Sequence, residues 1–301
     1  MDEAPALPTQ KSASTQRILS IDMGVRNLAY CLLQVDAASA RSKKAPKLIA
    51  WERLSLIGGE KGVTEDGTAQ TKLPASAFSP PTMAVAAARL IRGRLLPLAP
   101  THVLIERQRF RSGGGAAVLE WTVRVNSLEA MLHGIFAYRQ LDVSTSGENT
   151  VQTVQAVNPQ RVSQFLLRGG LGDSSGSQTP SLPAKSTKEK YIKDVKETFV
   201  AGILRSTGPQ KLLTYDERIN SIVDAYLLRW DAKQSKSRKK VKTNVTEEKE
   251  PTSSPKPVFS KIDDLADCVA QGLAWLEWED NRRILREMGA ERLLVAKKIA
   301  G

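Results

Sequence analysis

Several carboxylates stand where a folded chain has little structural use for them, and they are the first candidates for chemistry. Asp22 sits within the apolar run ILSIDMG, and Glu106 closes VLIE. Both runs have the makings of a central strand, where a carboxylate is expensive unless a partner or a cation compensates it. Asp263, Asp264 and Asp267 open a third apolar segment, whose Ile262, Leu265, Val269, Leu273 and Leu276 recur at helical spacing. Asp264 and Asp267 are three residues apart and therefore neighbours on that helix. With only His102 and His133 as histidines, and Cys31 and Cys268 both inside apolar segments, any catalysis falls to carboxylates. Three or four convergent carboxylates are what two hard divalent ions require, and such a pair can hydrolyse a phosphodiester.

Each acid also has a plainer role. A lone strand-end Asp such as Asp22 serves as a turn or cap residue, and Glu106 has Arg107 and Arg109 beside it as salt-bridge partners. Ser260-Lys-Ile-Asp263 has the spacing of a helix start, which gives Asp263 a capping role and leaves Asp264 and Asp267 as the chemical pair. The expected catalytic and metal-binding set is thus Asp22, Glu106, Asp264 and Asp267. Basic residues follow the same motifs. Arg107, Gln108, Arg109 and Arg111 come directly after Glu106, and Lys261 directly precedes the acidic cluster, so all five are candidates for phosphate contact. The alternative for the arginines is a solvated edge, and for Lys261 ordinary solvation at a helix start.

The elements that must position these residues read as a mixed α/β domain. Residues 17–35 form two apolar runs joined by Gly24-Val25-Arg26-Asn27, a hairpin signature. A third strand (KLIAWERLSL) follows, then a helix opened by Pro80-Pro81 and stopped near Pro97. THVLIERQ is a fourth strand and TVQTVQAVN a fifth. Between them a helix of about residues 116–140 carries Val118, Trp121, Val125, Leu128, Leu132 and Ile135 at alternating spacings of three and four. That seam reads first as core packing and second as a dimer contact. Ser186 and Glu189 resemble a capping box for a further helix, and another spans about 216–230. The expectation is an α/β fold with a five-stranded mixed sheet, residues 17–288 forming one domain. Residues 1–16 read as a disordered start, 58–79, 169–186 and 231–258 as loop or disordered insertions, and 289–301 as a tail.

Composition agrees with a polyanionic partner. The 301 residues carry 44 Lys+Arg against 32 Asp+Glu, a net charge of +12. No apolar run reaches the length of a membrane span, and two cysteines exclude a disulfide scaffold or a cysteine-rich zinc module. The run KQSKSRKKVK reads first as a solvated tract or a localisation signal and second as a source of salt-sensitive affinity for nucleic acid. The N-terminal MDEAPALPTQKSASTQ resembles neither a transit peptide nor a secretory signal.

RILSIDMGVRNLAYC, LIERQRFRS and KIDDLADCVAQ together resemble, in that order, the motifs of the fungal mitochondrial cruciform-cutting endonucleases, Holliday-junction resolvases related to bacterial RuvC. The resemblance runs from Arg17 to about Trp278. It implies an RNase H-like fold and a homodimeric endonuclease that uses two Mg²⁺ ions, or Mn²⁺, to nick opposed strands of a four-way DNA junction. No small-molecule cofactor and no membrane partner are implied. The family's first-strand Asp falls on Asp22 and its fourth-strand Glu on Glu106. Its terminal acidic pair falls in DDLAD, where RuvC-like spacing selects Asp264 and Asp267. Mitochondrial localisation follows from the resemblance alone. The small N-terminal helical DNA-binding module of some family members has no counterpart before Arg17. Two other readings compete: an architectural protein that binds junctions or duplex without cutting, and an actin-like ATPase, which also uses an Asp-x-Gly hairpin like Asp22-Met23-Gly24.

Overall fold

The central strands are short apolar runs buried on both faces of the sheet. In β1 (Gln16–Asp22), Ile18, Ser20 and Asp22 point to one face, and Leu19 and Ile21 to the other. β2 (Leu28–Val35) and β3 (Lys47–Leu54) continue as antiparallel neighbours. β4 (His102–Glu106) and β5 (Thr153–Val157) run parallel to β1 on its other side. This computed structural model describes residues 15–36, 44–57, 75–109, 118–141, 151–171, 185–207, 211–242 and 261–300. The sheet order is β5-β4-β1-β2-β3-β6. Its sixth strand, β6 (Thr214–Tyr215), pairs with Lys47 and Leu48 of β3. The expected five-stranded sheet is therefore six-stranded. Two residues are too few to show an alternating pattern, so no sequence signal marks β6.

Helices cover both faces. α1 (Pro80–Leu90) and α2 (Glu120–Leu141) pack against Leu19, Ile21, Tyr30, Leu32, Val103 and Ile105. After Leu90 the chain widens into one π turn, Ile91–Leu95, and tightens into a 3₁₀ turn, Leu96–Leu98, around Pro97. The opposite face, built on Ile18, Cys31, Leu33, Leu48 and Leu104, is covered by α3 (Pro159–Leu167), α4 (Lys185–Arg205), α5 (Asn220–Lys242) and α6 (Asp263–Ala300). The α6 helix is broken at Gly289, whose φ of 78° and ψ of 169° suit only glycine. That break falls at the residue where the tail is expected to begin.

The first reading of the α2 seam, core packing, is borne out, and two other expectations need adjustment. The seam on α2 faces its own sheet: Val125, Leu128, Leu132 and Phe136 are buried, whereas Val118 and Trp121 are exposed. It is therefore core and offers no dimer contact at its centre. The basic insertion expected from residue 231 is helical as far as Lys242, because α5 runs on through Lys233, which pairs with Asp194 at 2.8 Å and Glu197 at 2.6 Å. Finally, α4 already includes Lys185, so Ser186 lies inside the helix rather than at its cap. Most of the remaining insertions, residues 58–74, 172–184 and 243–260, and the first 14 residues lie outside the described ones.

Candidate active site

The register of the two central strands places the first pair of acids. β1 and β4 are parallel with Ile21 opposite Ile105, and one further step sets Asp22 beside Glu106. Both side chains lie on the face that α6 covers. Met23 donates its backbone N–H to Glu106 Oε2 at 3.3 Å, and Gln108 donates its side-chain amide to the same oxygen at 2.9 Å. The backbone N–H of Gln108 is held in turn by Glu129 Oε2 of α2 at 2.9 Å. Asp22 is 8% exposed. Burial pushes its carboxyl well above the usual range, and the charges of Glu106, Asp267 and Asp264 push it further. Glu106 is also close enough to share a hydrogen bond with it. Two carboxyl groups in that relation need either a proton or a cation between them.

The second pair is delivered by the start of α6, which is fastened to three strands. Gln271 donates to Ser20 Oγ at 3.1 Å and to the Ile21 carbonyl at 3.2 Å, one residue before Asp22. Trp51 of β3 donates its indole N–H to the Leu265 carbonyl at 3.0 Å, and Cys31 of β2 donates its thiol to the Cys268 carbonyl. Gly272 permits the close approach, since a Cβ there would lie 2.7 Å from Leu33 Cδ1. Asp264 and Asp267 are thereby brought toward the strand acids, as the charge coupling at Asp22 reflects.

Each helix acid has its own counter-charge. Asp263 pairs with Lys193 of α4 at 3.0 Å, Asp264 with Arg53 Nε of β3 at 2.7 Å, and Asp267 with Lys196 of α4 at 2.9 Å. Burial pushes Asp263 up, but the Lys193 hydrogen bond and charge outweigh it and hold the carboxyl below its ordinary value. For Asp264 burial wins over Arg53, and the carboxyl is raised. For Asp267 burial outweighs Lys196, and with the charges of Glu106 and Asp263 the carboxyl is pushed up to about 6. Sequence reasoning missed Arg53, Lys196 and Glu129. All three are ordinary surface types outside the motifs, and only the tertiary fold brings them in.

The expected phosphate contacts are placed less uniformly. Arg107 and Arg109 are exposed just beyond β4, and Lys261 is exposed just before α6. Gln108 spends its amide on Glu106, so its place is inside the acid cluster. Arg111 lies outside the described residues. Arg161 of α3 lies over the ring of Trp278, 5.0 Å from its centroid, and extends the basic side chains on this face. Of the histidines, His102 opens β4 and stacks on Trp275 at 5.3 Å. His133 is half-buried, which lowers its pKa.

The donor set suits a hard divalent ion. It consists of carboxylate oxygens only, its two strand acids form no ion pair among the described residues, and Asp267 Oδ1 is buried with Lys196 as its charged partner at 2.9 Å. As placed, no three acid, histidine or cysteine side chains among the described residues form a closed cage. Asp264 and Asp267 are turned instead to Arg53 and Lys196.

Comparison with known proteins places these features. Residues 18–285 match the family described as mitochondrial resolvase Ydc2 / RNA splicing MRS1, by its catalytic domain. The mitochondrial cruciform cutting endonuclease 1 of Schizosaccharomyces pombe is 34% identical over 124 residues, 40% of this chain and 42% of that protein. The match thus spans under half the length of that curated relative. The crystal structure of the yeast mitochondrial Holliday junction resolvase Ydc2 superposes with a TM-score of 0.52 at 17% identity, covering 93% of this chain and 87% of that one. That likeness bears on the fold, which is the RNase H-like arrangement expected from the motifs.

Proposed function

The chain belongs to this mitochondrial resolvase family, and from that premise we propose that it is a metal-dependent endonuclease that resolves four-way DNA junctions by paired nicks. The observation that carries the reading is the crowding of Asp22 against Glu106, with Asp264 and Asp267 close by, in a protein of net charge +12. A non-catalytic DNA-binding protein has no use for buried carboxylates that repel phosphate. The actin-like reading calls for a second phosphate clamp, and the match to the resolvase family over residues 18–285 leaves that reading without support.

Asp22, Glu106, Asp264 and Asp267 would hold Mg²⁺ or Mn²⁺, two ions per site. Once bound there, the ions supply an activated water and stabilise the leaving oxygen of the scissile phosphodiester. Gln108 keeps one Glu106 oxygen oriented, and Glu129 fixes Gln108 by its backbone. Arg107, Arg109, Arg111 and Lys261 would hold phosphates on either side of the cut. Resolution without scrambling needs two nicks related by symmetry, which a homodimer provides. The central seam of α2 is committed to the core, so exposed apolar residues such as Trp121 and Val123 on its outward side, with Leu119 just before it, are candidates for that contact. Among the described residues no helix is long and apolar enough to cross a membrane. A mitochondrial site of action accords with the names of the relatives.

The deciding experiment incubates the purified full-length chain with a labelled four-way junction, a linear duplex and a folded RNA, each with and without Mg²⁺. Paired nicks in the junction alone, dependent on Mg²⁺, are expected. Binding without cleavage would favour the architectural reading, and RNA-restricted binding would favour the splicing branch of the family.

A further inference from the structure

Lys196 is buried to 8% exposure, unusual for a lysine, and its ammonium is directed at Asp267 Oδ1. Arg53 is held from two sides, giving Nε to Asp264 Oδ2 at 2.7 Å and Nη2 to Asn27 Oδ1 at 2.6 Å. Asn27 belongs to the turn that follows Asp22, so Arg53 braces both halves of the site. The strand acids receive no such treatment: Glu106 accepts hydrogen bonds from neutral groups, and Asp22 has only Glu106 as a side-chain partner among the described residues. The cluster is therefore divided into two uncompensated carboxylates on the sheet and two compensated ones on α6.

We propose that Lys196 and Arg53 are a counter-charge gate: they hold Asp267 and Asp264 out of the ion site until a DNA phosphate takes over the two cations. This rests on the endonuclease reading and adds to it a coupling between metal and substrate. Freed of Lys196, Asp267 can turn its buried Oδ1 toward Asp22 and Glu106, closing the cage that the described residues lack. Moving the lysine into the site with no anion to receive it would leave an uncompensated charge in a buried place, so the exchange waits for phosphate. A site that fills its ion positions only with DNA present is protected from idle metal binding and from cutting the wrong substrate. Linkage requires the effect to be mutual, so the ion tightens DNA by the same factor that DNA tightens the ion. Lys193 is the natural comparison, because its pair with Asp263 is one turn away and its side chain is 56% exposed. Exposed pairs contribute little and exchange freely.

The test has two arms, both on the full-length protein with Ca²⁺ as a hard ion. In the first, calorimetry without DNA compares wild type with Lys196→Met, Lys196→Gln, Arg53→Gln and Lys193→Gln. Removing a gate cation should tighten Ca²⁺ about tenfold, within the range usual for couplings between sites, and Lys193→Gln should change nothing. A residue that merely supported the fold would do the opposite and weaken the ion. In the second, fluorescence anisotropy measures junction affinity of the wild type with and without Ca²⁺. Binding should tighten about tenfold with the ion, and this gain should vanish in Lys196→Met. Unchanged or weaker Ca²⁺ binding in folded Lys196 variants overturns the gate. So does a wild-type junction affinity indifferent to Ca²⁺, a measurement that needs no variant. A chain that binds no junction at all would sink the endonuclease reading, while the first arm would still judge the gate.

Discussion

At the scale of single residues, the structure separates acids that the sequence presents as equals. Asp263 carries the same charge as Asp264 one position on, yet its exposed partner Lys193 holds its carboxyl low, whereas the carboxyls of Asp264 and Asp267 are raised. Asp22→Asn, Glu106→Gln, Asp264→Asn and Asp267→Asn should each lower the junction cleavage rate roughly a thousandfold, the effect of removing about 4 kcal/mol of transition-state stabilisation. Asp263→Asn should cleave within a few-fold of wild type. Single-turnover kinetics would decide, and near-normal cleavage by Asp264→Asn would move the role to Asp263. The same raised carboxyls set a pH dependence whose sign is fixed. Asp267 titrates near 6 in the fold and near 3.8 when unfolded, so between those values the native state binds more protons. Metal-free stability must therefore fall as pH rises through that window. Differential scanning calorimetry without metal should show a higher Tm at pH 5 than at pH 7, and added Mn²⁺ should raise Tm more at pH 7, where protons no longer compete. A metal-free Tm that climbs between pH 5 and 7 would contradict the assignment of Asp267.

At the scale of elements, what is legible in the sequence is whatever forms a local pattern. Short apolar runs mark β1 to β5, the Pro80-Pro81 pair marks the start of α1, and helical spacing marks α2 and α6. The acids stand out because they interrupt such patterns, so all four candidates can be named from their immediate neighbours. What is not legible comes from contacts distant in sequence. Arg53 and Lys196 are 143 positions apart by number, and nothing local ties either to DDLAD. The two-residue β6 has no period to read, and the spacing of the α2 seam is the same whether it meets its own sheet or a second copy. The fold resolves that last ambiguity. Leu128 is 1% exposed and packs with Leu132, Phe136 and the sheet. Leu128→Glu should therefore unfold the subunit rather than produce a folded monomer, since it buries an unpaired carboxylate. Circular dichroism would tell these apart, and a variant that stayed folded but no longer dimerised would restore the interface reading. Gly272 makes a similar point about α6. Gly272→Val would thrust its branched side chain into Leu33 and Ser20, costing about 1–3 kcal/mol as overpacking. Because that approach sets how close the helix lies to β1, the variant should also bind Ca²⁺ more weakly at temperatures where it stays folded.

At the scale of the whole molecule, the excess of positive charge is not where a disordered basic insertion would put it. Helix α5 continues to Lys242, so Lys236, Arg238, Lys239, Lys240 and Lys242 all belong to a helical segment that starts in the core at Val223 and Tyr226. The stretch from 243 to 258 that follows has Lys249 and Lys256 against Glu247, Glu248 and Glu250, a net charge of 2 − 3 = −1. Helical backbone fixes the spacing of these five residues along one axis, so bringing them to a duplex costs little further chain entropy. The two parts should therefore behave differently. Deleting residues 243–258 and rejoining the chain should leave junction affinity and its salt dependence near wild type. Replacing the five basic residues of α5 with glutamine should flatten the slope of log K against log [salt] by up to about 0.9 for each phosphate no longer neutralised. The weakening would be most visible at low salt and would be shared by junction and duplex, because phosphate contacts carry no structural selectivity. Anisotropy titrations at several salt concentrations, without metal so that no strand is cut, make the comparison. A slope unchanged by the five substitutions would mean that α5 points its basic end away from DNA. The +12 charge would then have to act through the arginines beyond β4 and through the molecule's general field.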